Sequence, residues 1–532
     1  MSHSGASSLS GGTNPFAVVA SAVMHPTISS IKLISIISHA HVILNFKEAN
    51  ILIWQTHLNI TFHNLGLTNH TNGLVDAQFV LIYSSLAKPS VNESHHPSTG
   101  MAAGDGEPVL QSKSVCVVGG GMAGLAAARE LRREGHAVAV MEQSSDVGGQ
   151  WLYDPRTDVE DPLGAAVPVR VPSSIYACLR LISPREAIGF SDFQFLPSQG
   201  AGRDPRRFPG HREMHCYLQD FCDAFGLMDA VRLNTRVLRV ALTAMSTSKA
   251  TRRWAVRTPE PFRGEAMVVV GGGDSGKDIA LDLCHVAREV HLAASSEDAT
   301  PAILRMLANH GDVLRLHPRI RQLHADGRVE FADGSSVVAD TVIYCTGYAY
   351  SFPFLDTGGA VTVSDDGYVV GPLFEHVFPP SLAPSLSFVG VPRKIPIPWF
   401  LEVQARWVAQ VLSGRRELPP EEEMLRSVEE HLRAREAAGV PRKLTHNIGS
   451  IEPHTIFEFG EKYCDFTPLE EWKKELMVSS VVSMMDDVET FRDLSNDSEN
   501  VQKGLQEWRL GAAAQGQAKP ITTPVDAEGD GF

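Results

Sequence analysis

Arginine is missing from the opening of this chain: the first is Arg129, although nine of the 21 histidines fall in the first hundred residues. A secretory signal needs a basic stretch near the start and a transit peptide is Arg-rich, so neither class fits. Long apolar runs are also lacking. Ile31–Phe46 is broken by Lys32, His39 and His41 and is short of the ~20 residues of a spanning helix. The sequons at Asn59, Asn69 and Asn92 carry no weight without secretion. Cysteine is sparse and unpaired in pattern. Cys116, Cys178, Cys216, Cys222, Cys284, Cys345 and Cys464 form no C-x-x-C pair and no zinc-like spacing, so no metal is expected and the setting reads as reduced and cytoplasmic. Positive charge is in deficit, with 47 Lys and Arg against 62 Asp and Glu and a net charge of −15. That balance argues against nucleic acid and against anionic membranes as partners.

What the chain does have is glycine in two matched places. Val115-Cys116-Val117-Val118 leads into Gly119-Gly120-Gly121-Met122-Ala123-Gly124, and Val268-Val269-Val270 leads into Gly271-Gly272-Gly273-Asp274-Ser275-Gly276. Each is G-x-G-x-x-G after an apolar run and before a helix-like segment, the dinucleotide-binding pattern. The first glycine makes the turn, the second admits a pyrophosphate to the backbone, and the third packs helix on strand. One copy is weak; two in strand–turn–helix context point to an enzyme holding two dinucleotides. After the first copy, the helix Leu125–Glu134 and the strand His136–Met141 end at Glu142, where a ribose-binding carboxylate belongs. Gly148-Gly149-Gln150-Trp151 follows. After the second, a helix over Gly276–Ala287 and Val290–Ala294 end at Ser295-Ser296 instead of an acid, which favours NADPH over NADH. No Lys or Arg follows until Arg305, so a cation for the extra phosphate is not evident.

With these fingerprints, the runs Asp204–Glu213, Asp340–Tyr348, Phe190–Phe193, Phe352–Leu355 and Phe388–Pro392 resemble the flavin-containing monooxygenases, in particular the plant branch that S-oxygenates glucosinolate precursors. The resemblance spans about Lys113 to Arg492. It implies an α/β fold of two Rossmann-like dinucleotide-binding domains, for FAD and NADPH, with the NADPH domain inserted in the FAD domain. It also implies oxygenation of soft nucleophiles, a thioether sulfur or an amine, by NADPH and O2 through a C4a-hydroperoxyflavin. The cofactor carries the difficult step and the protein orients it and excludes water. No catalytic residue is named: His310, His317 and His376 read as surface or packing groups. Thr346-Gly347 should lie against a cofactor, and Gln404, on a helix with Val403 and Trp407 on one face, either approaches the isoalloxazine or packs in the core.

The pattern departs from the family in two places. Trp254-Ala255-Val256 runs directly into Arg257–Arg263, so a strand and the motif F-x-G-x-x-x-H-x-x-x-Y/F are absent. Ile182 stands where many relatives have an Asn facing the flavin, with Ser183 the only nearby substitute. The expected map is therefore 1–110, a non-family extension, disordered or mispredicted; 111–256, the first part of the FAD domain; 257–336, the NADPH domain without its N-terminal part; 337–480, the second part of the FAD domain; and 481–532, an acidic, largely disordered tail. Besides an active monooxygenase, two classes compete. A disulfide reductase would need a redox cysteine pair after Gly148-Gly149, and a catalytically impaired FAD-binding relative is suggested by the missing segment.

Overall fold

The computed structural model describes residues 32–37, 40–45, 80–85, 110–154, 175–198, 200, 202–241, 262–295, 299–347, 349–449, 453–494 and 497–514. Each glycine pattern forms strand, turn and helix. Ser114–Val118 feeds the helix Met122–Arg133, and Ala266–Val270 feeds Asp274–Cys284. In the first helix Ala126, Ala127 and Ala128 are fully buried, and such small, strongly helix-forming residues let it lie close on the sheet. The first sheet has five strands in the order Leu386–Val389, Val80–Ser85, Ser114–Val118, Ala137–Met141 and Val231–Arg232. The second has six, in the order Leu314–His317, Glu289–Ala293, Ala266–Val270, Thr341–Cys345, Lys32–Ile37 and Ala40–Asn45. Between its strands Leu314–His317 and Thr341–Cys345 the chain makes a small antiparallel sheet, Ile320–Leu323, Arg328–Phe331 and Ser336–Val338. Because Leu386–Val389 returns to the first sheet, the second Rossmann-like unit is an insertion in the first.

Three expectations need correction. First, the leading segment is not wholly outside the fold. Lys32–Ile37 pairs parallel with Thr341–Cys345 and forms a hairpin with Ala40–Asn45. Val80–Ser85 lies antiparallel between Leu386–Val389 and Ser114–Val118. Its run Val-Leu-Ile-Tyr suits a strand paired on both sides, and pairing of this kind is set by non-local partners rather than by composition. Second, Thr341–Cys345 belongs to the second sheet, beside Ala266–Val270, although 337–480 was expected to belong to the first unit. All five of its residues are buried, as in the centre of a parallel sheet. Third, the acidic C-terminal stretch is helical over Glu471–Asp486 and Glu499–Ala514. Val501, Leu505 and Trp508 recur at helical spacing and are buried, which anchors the last helix. Residues 515–532 of the expected tail lie outside the described residues, as do Trp254–Val256 and residues 257–261 of the connection expected to be short.

The Val80–Ser85 strand gives a test of the first correction. Ile82 is paired with Ser387 on one side and Val117 on the other. Proline there removes a ladder N–H and leaves a buried carbonyl without its donor, at a cost of about 1–3 kcal/mol. Ile82→Pro is expected to lower the denaturation midpoint accordingly; an unchanged midpoint would show that the strand does not belong to the sheet.

Candidate dinucleotide sites

The first glycine loop turns at Gly119, whose φ of 109° is in the region that favours glycine and whose N–H donates to Met141 O at 2.9 Å. Gly120 N–H donates to Glu142 Oε2 at 2.6 Å, and Ser144 N–H donates to Glu142 Oε1 at 2.7 Å. Glu142, buried at the end of its strand, is thus held beside the loop with one lone pair on each oxygen engaged by backbone. A second glycine pair closes on the first: Gly148 N–H donates to Gly120 O at 3.0 Å. A Cβ on Gly149 would lie 2.8 Å from Gly121 Cα, so the two backbones meet without side chains between them. Gly148 and Gly149 therefore meet the loop, Gln150 and Trp151 continue from them in the short helix Gly149–Trp151, and Met122, Ala123 and Gly124 open the helix of the first loop. Trp151 Nε1 is buried with no hydrogen-bond partner.

The second loop repeats the turn with different surroundings. Gly271 has a φ of 114° and donates to Ala293 O at 2.8 Å, and a Cβ there would lie 2.3 Å from Cys345 O. A Cβ on Gly276 would lie 1.8 Å from Gly271 O, so the third glycine is required for helix to meet turn. Gly273, which precedes the helix, is exposed, and a Cβ there would meet no atom within 4 Å. Space is left open at the helix N-terminus, where unsatisfied N–H groups suit a phosphate. Gly272, Asp274 and Ser275 complete the loop. Thr346 and Gly347 follow the strand next to it, so they fall beside the second loop. Ser295 lies two residues past the end of the neighbouring strand Glu289–Ala293, while Ser296 lies outside the described residues. Arg305, the first cation after them in sequence, is paired with Asp486 at 2.7 Å.

Gln404 is fully buried on the helix Trp399–Ser413. Its Oε1 accepts from Gly390 N–H at 2.9 Å, while Nε2 has no partner. Val403 and Trp407 are buried, but so is nearly every other residue of this helix, so the expected single apolar face is a fully enclosed one. Ile182 is 39% exposed. His317 stacks on Phe331 with ring centroids 4.0 Å apart, and His310 lies 3.2 Å from Glu489. His376 is 3.0 Å from His446, Nδ1 to Nδ1. None of the seven cysteines is paired, and burial pushes the thiols of Cys222, Cys284 and Cys464 up to about 12. A dithiol redox centre has no support in that arrangement.

Sequence reasoning missed the loop that follows the strand Leu386–Val389. Lys394 Nζ lies 3.0 Å from Asp274 Oδ2, so a residue of the first unit reaches the second glycine loop. No local pattern announces this contact, because the partners are 120 positions apart. Beneath that loop, His446 O accepts from Arg393 N–H at 2.7 Å and His446 Nε2 accepts from Val370 N–H at 3.1 Å.

Comparison with known proteins agrees with these two loops. Residues 117–179 match an NAD(P)-binding Rossmann-like domain, 203–372 a pyridine nucleotide-disulphide oxidoreductase domain, and 305–448 the flavin-binding monooxygenase-like family. The chain is 44% identical to flavin-containing monooxygenase FMO GS-OX-like 8 of Arabidopsis thaliana, over 75% of this chain and 96% of that protein. It is 44% identical to FMO GS-OX-like 9 of the same plant, over 74% and 96%. Among solved structures, S-allyl-L-cysteine S-oxygenase from Allium sativum is similar with a TM-score of 0.63 and 37% identity, over 74% of this chain and 98% of that one. The fold and its paired loops are those of a two-dinucleotide oxidoreductase. The chain belongs to the flavin-containing monooxygenase family and is an NAD(P)-dependent flavin monooxygenase, with a flavin and a nicotinamide dinucleotide as cofactors. Among the described residues, no helix is long and apolar enough to cross a membrane.

The residues present fit such cofactors. Two side-chain-free loops meet at Gly121 and Gly149, two buried donors (Trp151 Nε1 and Gln404 Nε2) are unmatched, and Gly273 faces open space.

The histidines under the Lys394 loop set an acid limit. Burial pushes His446 down to about 3, aided by the Arg393 and Arg435 cations, and burial with His446 beside it also pushes His376 well down. Their neutral forms are favoured in the folded state, so the unfolded chain binds more protons below about 6.5, the ordinary histidine value. Stability is therefore full above that pH and falls as pH drops, for His446 down to about 3. The denaturant midpoint is expected to drop between pH 7 and pH 5; a flat profile over that interval would contradict the clustering.

Proposed function

We propose that the first glycine loop holds FAD, the second holds NADPH, and the loaded protein uses O2 to oxygenate a thioether sulfur. The observation that carries the sulfur specificity is the likeness to S-allyl-L-cysteine S-oxygenase across 98% of that chain. In the first loop, the N–H groups from Gly121 to Gly124, at the N-terminus of the helix that begins at Met122, receive the pyrophosphate, while those of Gly119 and Gly120 hold the turn and Glu142. The lone pairs left on Glu142 accept from the ribose hydroxyls, with Gln150 and Trp151 alongside. Gln404 Nε2 donates to the flavin ring. In the second loop, Gly271, Gly272, Gly273, Asp274, Ser275 and Gly276 receive NADPH, with Thr346 and Gly347 at its flank. Bound FAD supplies the redox chemistry that takes hydride from NADPH and passes one oxygen atom of O2 to sulfur, the other leaving as water. The chain's own part is to bind, orient and exclude water. A cytoplasmic setting goes with this reading, supported by seven unpaired thiols.

The loop assignments separate by substitution. Gly121→Val places a branched side chain where the two glycine backbones meet and is expected to abolish flavin retention. The protein should lose stability with it, since a ligand bound only by the folded state stabilises that state. Gly273→Val meets no protein atom at its Cβ, so it should keep the flavin while losing NADP+ binding. A yellow Gly121→Val protein with an unchanged flavin spectrum would count against the first assignment. For the reaction itself, the FAD-loaded chain is given NADPH, O2 and S-allyl-L-cysteine, and the sulfoxide is measured by mass spectrometry. NADPH consumption without sulfoxide, or transfer to an amine probe alone, would overturn the sulfur reading.

One observation favours a second reading, a chain that binds FAD but passes hydride slowly. The alignment to FMO GS-OX-like 8 runs over 455 positions but takes in only 75% of this chain. That relative therefore has residues opposite which this chain has none, as the direct passage from Val256 to Arg257 suggests. Hydride transfer needs near-contact geometry, and a 1 Å misplacement can cost about a hundredfold. On this reading, anaerobic bleaching of the flavin by NADPH is slow in the chain as given and fast once the relatives' segment is restored. Equal rates would remove it.

A further inference from the structure

Phosphates at the second loop meet an obstacle on the chain itself. Asp274 is the first residue of the helix whose N-terminus opens toward Gly273, and its carboxylate is negative where a diphosphate would arrive. Burial pushes this carboxyl up, but Lys394 and Lys277 together hold it below its ordinary value. Lys277 comes from the same helix and is 3.4 Å from Asp274 Oδ1. Lys394 comes from the other unit and is 3.0 Å from Asp274 Oδ2.

Lys394 is built in an unusual way. Its φ of 58° is left-handed, a conformation that costs a non-glycine residue about 1–3 kcal/mol and persists only where the surroundings fix it. The surroundings do fix it. Gly449 packs so closely that a Cβ there would stand 1.5 Å from Lys394 O, and Arg393 is tied to His446. The backbone is clamped while the side chain is 57% exposed, leaving a compact charge on a flexible stem. Glycine would suit this backbone better, but it would carry no ammonium.

We infer that Lys394 is a positioning residue for the dinucleotide pyrophosphate, held by Asp274 while the second loop is empty and passed to the phosphates when they bind. A carboxylate and a diphosphate compete for one helix end, and the ammonium between them offsets the repulsion. This inference rests on the second loop being the NADPH site.

The test uses the full FAD-loaded chain and calorimetric titration with NADP+ and NAD+, two probes that share the pyrophosphate and differ in the 2′-phosphate. Lys394→Gln is expected to weaken both by about tenfold, ~1.4 kcal/mol, and Lys394→Arg to restore most of the loss. Asp274→Asn is expected to tighten both several-fold, because the competitor for Lys394 is gone. Flavin absorbance checks that each variant is folded. If Lys394→Gln and Asp274→Asn both weaken binding, the pair is only a latch between the units and the inference falls. A loss confined to NADP+ also overturns it, since the contact would then be with the 2′-phosphate. Gly273→Val separates the two levels. If it abolishes binding while Lys394→Gln does not, the role of Lys394 is wrong and the site assignment stands; if it leaves NADP+ binding intact, the site assignment itself fails.

Discussion

A guanidinium taken almost wholly out of water fixes how the first unit is assembled. Arg129, 2% exposed on the helix that follows the first glycine loop, pairs with Glu402, Glu130 and Asp192. Its Nη1 reaches Asp192 at 2.5 Å and its Nε reaches Glu130 at 3.1 Å. Glu402 is fully buried and also accepts from Ser191 N–H and Oγ–H, each at 2.9 Å. The guanidinium carbon of Arg129 lies 5.1–5.3 Å from the ring centroids of Phe190, Phe221 and Phe225. Removing one partner of such a set strands a buried charge, which costs about 3–5 kcal/mol. The geometry is consequently all or none: the helix of the first loop, the Phe190–Asp192 turn and the helix Trp399–Ser413 take their places together. Glu402 is two residues from Gln404, so this ion set also decides where the unmatched donor of Gln404 sits.

The two glycine loops show how one local pattern serves different surroundings. Both begin with a left-handed glycine bonded to the next strand. In the first, the acid lies at the end of that next strand, and Glu142 is drawn against Gly120 by backbone donors. In the second, the acid lies on the helix itself, and Asp274 is paired with two lysines, the buried Lys277 and the exposed Lys394. A carboxylate in the first position suits hydroxyl groups; one in the second would meet the phosphates of a dinucleotide held there. The difference comes from what neighbours the loop rather than from its glycines.

Much of this was legible before the fold was known, and the reason is locality. The strands, turns and helices at Val115–Glu134 and Val268–Ala287 follow from contiguous residues, and so does the placing of Glu142 at a strand end. The runs around Phe190 and Phe388 pointed to the family, although not to their physical work of holding Glu402 and pairing with Val80–Ser85. What stayed hidden depends on contacts distant in sequence. Composition set aside the first hundred residues, yet three of their segments find partners in the two sheets. Thr341–Cys345 is apolar enough for either sheet, and only its pairing with Ala266–Val270 decides between them. In the C-terminal stretch, acidic residues masked the spacing of Val501, Leu505 and Trp508.

The short stretch from Gly390 to Lys394 joins these points. At one end Gly390 N–H donates to Gln404, on the helix locked by Arg129; at the other, Lys394 reaches the helix of the second loop. Five residues thus touch structures belonging to both glycine loops, and their backbone is tied down through Arg393 to His446 and through Lys394 to Gly449. A segment so held cannot move at one end without straining the other. Any shift of the second unit that pulls on Asp274 is carried, over a path only a few residues long, to the hydrogen bond that positions Gln404. The distance between two bound dinucleotides is the quantity to which hydride transfer is most sensitive. This stretch links the two glycine loops inside the fold, independently of the connection that precedes Phe262.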